Sequence, residues 1–299
     1  MRVRTSILVA GFFSALAVRG IAQEVTQPSP PQTEAEKATL LDSLINNQKK
    51  SDAAQYLFER IERLEVRKSG SDAQAGEVKV SRVVPAGTGI DHISVGLDGK
   101  PVDLTAYRAE LEKLERALDW ASREGHAQRD AYEKVAKKQK ERDDLIDATR
   151  NAFLYTYVSN ETRDGRVLFK YHIEPNPAFK PSSRAATIFT KVRGFVWIDP
   201  SACELARVEG EVTSDISIGL FLGKVYKGSH FMQERYEVAP GLWLPTFTQY
   251  DFDGRRFFSS VAIHNRTFYS QYRRVGPPKE ALEIIRSELG KSSATTADP

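Results

Sequence analysis

The chain has very little cysteine. Cys203 is its only one in 299 residues, so no disulfide can form within the chain and the fold must be stabilised by packing. There is also no excess of one charge, since 43 Lys and Arg stand against 40 Asp and Glu. This balance is typical of a globular protein. It lacks the basic surplus of a nucleic-acid-binding domain, so we expect no nucleic-acid partner.

Long hydrophobic runs are missing as well. The apolar run near the start, from Ile7 to Val18, is shorter than the ~20 residues that a membrane-spanning helix needs. Arginines precede it and small residues ending at Ala22 follow it, which is the layout of a secretory signal. We predict a signal peptide at residues 1–22 and a soluble mature protein, periplasmic or secreted. Arg19 lies late for such a signal, so an uncleaved tether is the alternative.

Common catalytic motifs do not occur. The sequence has no G-x-S-x-G, H-E-x-x-H or C-x-x-C pattern and no glycine-rich phosphate loop, and its histidines are dispersed. Asp251 to Gly254 resembles the start of a calcium loop, but the other ligands are missing. We therefore expect no catalytic residues, no metal site and no cofactor. A hydrolase without a recognisable motif is the less favoured alternative.

The rest of the chain predicts one α+β domain over residues 35–289. A linker rich in Pro, Gln and Thr, residues 23–34, precedes it, and a disordered tail, residues 290–299, follows it. An amphipathic pattern predicts a helix at residues 35–48, and another helix is expected at 279–289.

A helical insert is predicted for residues 104–150. Its first part repeats apolar residues at spacings of three and four, including Leu111, Leu114 and Leu118, which is typical of a helix with one narrow apolar stripe. Its second part is heavily charged, which favours a solvent-exposed helix face. The alternative for that part is contact with an anionic lipid surface through the lysines at positions 134, 137, 138 and 140.

From residue 151 onward the pattern predicts strand after strand. Hairpin turns are expected at Asp164-Gly165 and at Asp253-Gly254, where a turn dipeptide separates two apolar runs. Short connections favour a meander of neighbouring strands. The fold class that follows is α+β with a curved antiparallel sheet.

Aromatic residues recur at alternate positions in these strands, so each set shares one face of the sheet. Several strands are apolar on both faces, which suggests that helices cover one side and a ligand the other. The candidate wall of this ligand site consists of Phe169, Tyr171, Phe195, Trp197, Trp243 and Phe247. Its candidate lid consists of Leu111, Leu114 and Leu118. A solid two-layer core is the alternative interpretation.

The runs RGFVWIDPSACELARVEGEV and EVAPGLWLPT, followed by a closing hairpin, resemble the outer-membrane lipoprotein-sorting superfamily. This family contains the periplasmic carriers of the LolA and LolB type, and the chain is more similar to uncharacterised secreted relatives of them. The likeness is strongest over residues 153–275. It implies an incomplete β-barrel with helices on its concave side, and an apolar cavity that binds lipid or lipidated protein without chemistry. The insert at 104–150 is larger than such a carrier needs.

Residues and resemblance together predict a periplasmic, non-enzymatic binding or carrier protein. Its partner would be an apolar ligand, namely a lipid, an acyl chain or a lipidated protein, with possible contact to a membrane surface. The alternative of a different class is a structural or interaction module of the cell envelope with a solid core.

Overall fold

The computed structural model describes residues 28–67, 75–218, 223–256 and 259–295. The predicted signal peptide and the last four residues lie outside these ranges. The described chain forms four α-helices: α1 Glu34–Ala54, α2 Leu104–Ala121, α3 His126–Ala152 and α4 Pro278–Thr295. Two short 3₁₀ helices, Gln55–Leu57 and Ala186–Lys191, accompany them.

The described strands belong to one 13-stranded sheet. They are β1 Phe58–Arg67, β2 Ala75–Pro85, β3 Ile90–Leu97, β4 Lys100–Pro101, β5 Phe153–Arg163, β6 Arg166–Pro175, β7 Val192–Asp199, β8 Glu204–Val212, β9 Ile216–Ile218, β10 Gly223–Val225, β11 His230–Ala239, β12 Leu242–Arg256 and β13 Ser259–Arg274. Their order is β4-β3-β2-β1-β13-β12-β11-β8-β7-β6-β5, with the β9–β10 pair beside β12. The sheet is antiparallel and ends in different strands at its two edges, so it is not closed. The predicted α+β class with an open antiparallel sheet is confirmed.

Turn chemistry explains most of the strand connections. Asp164 and Gly165 have φ angles of 49° and 77°, the positive values that a tight two-residue hairpin requires. The same prediction is wrong for Asp253-Gly254, which lies inside β12. A Cβ on Gly254 would lie 2.0 Å from the backbone oxygen of Lys224. Glycine is therefore required here because β10 passes close to the backbone of β12. Residues 257–258, between β12 and β13, lie outside the described ranges.

The helices begin and pack as their sequences require. The Thr33 hydroxyl caps α1 by accepting a hydrogen bond from the Glu36 N–H, and the Glu36 carboxylate accepts one in return from the Thr33 N–H. The helix predicted at residues 35–48 continues to Ala54. Likewise α4 runs to Thr295, whereas the prediction ended that helix at 289 and began a disordered tail at 290.

The sheet has two faces that can be followed through the strand register, because directly paired residues share a face. We call one the tryptophan face, which carries Trp197 and, in successive strands, Lys170, Arg207, Glu234, Phe247 and Phe268. We call the other the valine face, which carries Val196 with its partners Tyr171 and Val208.

Helices cover both faces, whereas the resemblance placed them together on the concave side. On the valine face, α1 buries Leu41 and Leu44 against β5 to β8. On the tryptophan face, at the far end of the sheet, α2 and α4 pack on Val84 and Ile93. The two packing sites use opposite faces because Val84 and Ile93 point away from Tyr171 and Val196.

The second packing site encloses an ion network. Arg82, only 8% exposed, donates to Glu59 Oε2 at 2.7 Å and to Glu288 Oε2 at 2.7 Å. It also donates to the Tyr107 hydroxyl at 3.0 Å. One arginine therefore ties β1 and β2 to both covering helices.

Candidate functional site

An apolar cavity of about 290 Å³ lies between α1, α3 and the valine face. Its walls come from eight elements and are mostly aliphatic. The residues that line the cavity are Leu44, Ile45, Gln48, Ile146, Thr149, Phe153, Tyr155, Ile173, Ile188, Phe189, Val192, Val196, Leu205, Val208 and Phe231.

The cavity exists because its floor is built from short side chains. Val192, Val196 and Val208 come from neighbouring strands and point to the same side, where α1 faces them with Leu44 and Ile45. Branched, short residues pack closely along a sheet but do not reach far from it. The space between sheet and helices is therefore left open in the middle, although its rim is packed.

Most polar groups in this wall bond to each other. The Tyr155 hydroxyl donates to the backbone oxygen of Thr149 at 2.9 Å, and burial raises the pKa of this phenol, so it stays neutral. In the described part of the wall, Gln48 Oε1 is buried without a hydrogen-bond partner. A buried acceptor left unpaired costs about 1–3 kcal/mol, so a ligand that donates a hydrogen bond here would gain from it.

Of the two helices above the cavity, α3 buries few side chains. In α3 only Ala152 is buried, among the side chains described. Ion pairs cross the seam between the two helices, with Arg150 Nη1 lying 2.6 Å from Asp42 Oδ1 and Arg142 Nη1 lying 3.2 Å from Asp52 Oδ2. Both arginines are 42% exposed, and such exposed pairs contribute at most about 1 kcal/mol each. Exposed arginines therefore supply ion pairs across the seam between α1 and α3.

One side of the cavity is shaped by a glycine. A Cβ on Gly210 would lie 2.3 Å from the ring of Phe231, closer than any real contact. The ring rests directly on the backbone at Gly210. Ile188, which also lines the cavity, is 41% exposed and gives the cavity an apolar edge toward solvent.

The predicted ligand-binding residues fall into separate groups. Phe169 and Tyr171 lie on the valine face in the core cluster next to the cavity. Phe195 and Trp197 lie on the tryptophan face. Trp243 packs with Trp197, and the Phe247 ring lies 5.0 Å from that of Phe268. Leu111, Leu114 and Leu118 pack against α4 in another cluster. None of these residues lines the apolar cavity.

The aromatic residues of the tryptophan face have charged neighbours. Lys170 Nζ lies 4.8 Å from the Trp197 ring and 5.0 Å from the Phe195 ring. The Arg207 guanidinium lies 5.1 Å from the Trp197 ring on the same face. A cleft of about 580 Å³ beside Phe195 is lined by further ion-paired residues, including Arg193 and Glu211. This face therefore presents rings and charges side by side and not a continuous apolar wall.

The residues that line the apolar cavity could not be predicted from the sequence, because alternation does not show which face of the sheet a helix covers. Alternation places Val196 and Trp197 on opposite faces, and both are apolar. The useful signal was the stripe formed by Leu41, Leu44 and Ile45 in α1, since such a stripe must pack on something. The strand sequences do not show that Val196, and not Trp197, faces helix α1.

A buried carboxylate lies near the same helix. Glu204 is 2% exposed, and burial raises its pKa to about 7, although Arg235 and Ser51 act in the other direction. Burial also lowers the pKa of Arg235, so desolvation outweighs the attraction between the two charges. The neighbouring Cys203 thiol has a pKa raised by burial, which disfavours the reactive thiolate.

Within the described ranges, no group of three or more His, Cys, Asp or Glu side chains is arranged to hold a metal ion. No helix in those ranges combines the length and apolar character that crossing a membrane demands.

No protein-family model and no curated protein matches the chain. Its structure is similar to the crystal structure of a domain named for outer membrane lipoprotein sorting from Vibrio parahaemolyticus. That likeness has 10% identity and a TM-score of 0.31, and covers 78% of this chain and 92% of the other. The structure is also similar to that of a DUF1329 family protein from Desulfovibrio piger, with 11% identity, a TM-score of 0.28, and 79% and 92% coverage.

Proposed function

We propose that this protein is a non-enzymatic binding or carrier protein for an apolar ligand, such as a lipid, an acyl chain or the lipid of a lipidated protein. The observation that carries the proposal is the apolar cavity of about 290 Å³ beneath α1 and α3. Pockets for small ligands have volumes from ~300 Å³ upward and are mostly apolar with few polar groups. The signal-like start of the sequence supports a periplasmic or secreted location.

The cavity accommodates part of an acyl chain. Each buried methylene contributes about 0.8 kcal/mol, so burying roughly six of them contributes about 5 kcal/mol. The remainder of a longer chain would leave past Ile188 at the rim. Gln48 Oε1 would accept a hydrogen bond from a hydroxyl or amide of the ligand.

A fluorescent fatty acid titrated into the purified protein tests the proposal. Val208→Phe places a larger side chain in the cavity, whereas Val158→Phe makes the same change at an exposed position of β5, where Val158 is 49% exposed. Displacing about two methylenes costs about 1.6 kcal/mol, a loss of affinity of more than tenfold. We expect that loss for Val208→Phe and unchanged affinity for Val158→Phe.

A wild-type protein that binds no fatty acid and carries no lipid in native mass spectrometry would contradict the proposal. Equal affinity of the wild type and Val208→Phe would contradict the placement of the site. The first result would instead favour the interaction module with a solid core.

A further inference from the structure

A second cavity, of about 400 Å³, lies between the β2–β3 turn and the first half of α3. We call it the basic cleft. It is lined by Tyr56, Gly87, Thr88, Gly89, Ile90, Ala131, Lys134, Val135, Lys138, Gln139 and Arg142. It shares no lining residue with the apolar cavity.

The charged residues that line the basic cleft are all positive. Lys134, Lys138 and Arg142 are four residues apart on α3, so they lie on one side of the helix. None of the described residues that line the cleft is acidic. Arg142 is paired with Asp52 at 3.2 Å, but Lys134 and Lys138 form no ion pair with any residue that the structure describes. Two lysines therefore face the cleft with their charges uncompensated, which favours an anion.

The remaining walls are suited to an apolar group next to that anion. Ile90, Ala131 and Val135 contribute aliphatic surface, and Tyr56 contributes a ring over which the Arg142 guanidinium lies at 5.8 Å. A small inorganic anion would leave this surface unused. A molecule with an anionic head and an apolar body would cover both.

The turn that forms the other wall is held in place. Gly87 has a φ of +80°, and a Cβ there would lie 2.7 Å from Pro278 and 2.9 Å from both Ala121 and the Tyr132 hydroxyl. The turn is thus wedged among α2, α3 and α4. A Cβ on Gly89, in contrast, would meet nothing within 4 Å. The cleft is therefore preformed, with open space at Gly89.

We propose that the basic cleft binds the phosphate group of an anionic amphiphile. Lys134 and Lys138 supply the positive charge, as lysine does in many phosphate sites, and the aliphatic wall holds the neighbouring apolar part. This inference goes beyond the proposed function and does not depend on the apolar cavity. It gives the lysines of α3 a defined site in place of general contact with a charged surface.

The test is isothermal titration calorimetry of the full chain with a soluble lipid phosphate, dihexanoyl phosphatidic acid. The variant K134Q/K138Q removes two charges from the cleft, and the control K137Q/K140Q removes two charges from α3 outside it. A lysine near an anionic lipid contributes about 1 kcal/mol, so the cleft variant should lose about tenfold or more in affinity. We expect the control to stay within about twofold of the wild type. Equal losses of affinity in the two variants would show that binding depends on general charge attraction and not on the cleft, and would overturn the proposal.

Two further ligands distinguish the sources of the phosphate. Zwitterionic dihexanoyl phosphatidylcholine should bind more weakly than the phosphatidic acid. Inorganic phosphate should also bind more weakly, and binding as tight as that of the lipid phosphate would overturn the amphiphile as the ligand. Gly89→Glu places a negative charge in the open space and should abolish binding, while circular dichroism verifies the fold. Val208→Phe should leave this binding unchanged, so the two proposals can fail separately.

Discussion

We expect Glu204 to make the protein less stable as the pH rises, the opposite of the effect of most carboxylates. Its carboxyl group is 2% exposed, and Oε2 has no hydrogen-bond partner in the described structure. Burial raises its pKa from an ordinary 4.5 to about 7. The folded protein therefore holds a proton there that the unfolded chain has already released.

The sign follows from proton linkage. A carboxyl group with a raised pKa contributes its full stabilisation below the unfolded pKa and loses it as the pH rises through the folded pKa. Between pH 4.5 and about 7, the free energy of unfolding should therefore fall. One pKa unit corresponds to 1.36 kcal/mol, so the shift amounts to about 3 kcal/mol.

The substitution Glu204→Gln isolates this effect, because glutamine keeps the shape and the bond to Ser51 but cannot ionise. Urea unfolding followed by circular dichroism at pH 4 and pH 8 measures it. We expect equal stability of wild type and variant at pH 4, and a variant more stable by up to about 3 kcal/mol at pH 8. Glu211→Gln, on the same strand, controls for the loss of a negative charge. If the wild-type and Glu204→Gln curves run parallel from pH 4 to pH 8, the reasoning about burial is refuted.

Three other substitutions test the packing. Arg82→Met removes the buried partner of Glu59 and Glu288 and leaves them only Arg273, which is 52% exposed, so it should cost up to about 3–5 kcal/mol in urea unfolding. A loss below about 1 kcal/mol would show that the buried arginine does not stabilise the network. Leu114→Ala, at a fully buried position, should cost about 2–5 kcal/mol, whereas Leu104→Ala, at a position 83% exposed, should cost almost nothing, and equal costs would contradict the packing of α2. Gly210→Ala should displace the Phe231 ring and weaken fatty-acid binding in the titration; unchanged affinity would mean that the ring does not shape the cavity.

Local patterns in the sequence predicted much of the secondary structure. The leucine stripe of α2 is buried where it was expected, because helix periodicity depends on residues three and four apart. Asp164-Gly165 forms its turn because both residues tolerate positive φ. Asp253-Gly254 has the same residue types but lies within β12. Its glycine is required because β10 approaches closely, and the local sequence does not show this distant contact.

The sequence by itself determined the helix periodicities, the turn at Asp164-Gly165 and the absence of a disulfide within the chain, because each depends on near neighbours or on composition. Only the tertiary structure decided which face of the sheet each helix covers. Val196 and Trp197 are both apolar and point in opposite directions. The alternation of residues along the strand therefore does not show which of the two faces is covered. The position of α1 decides this, so the valines line the apolar cavity, and none of the aromatic residues predicted to bind a ligand does.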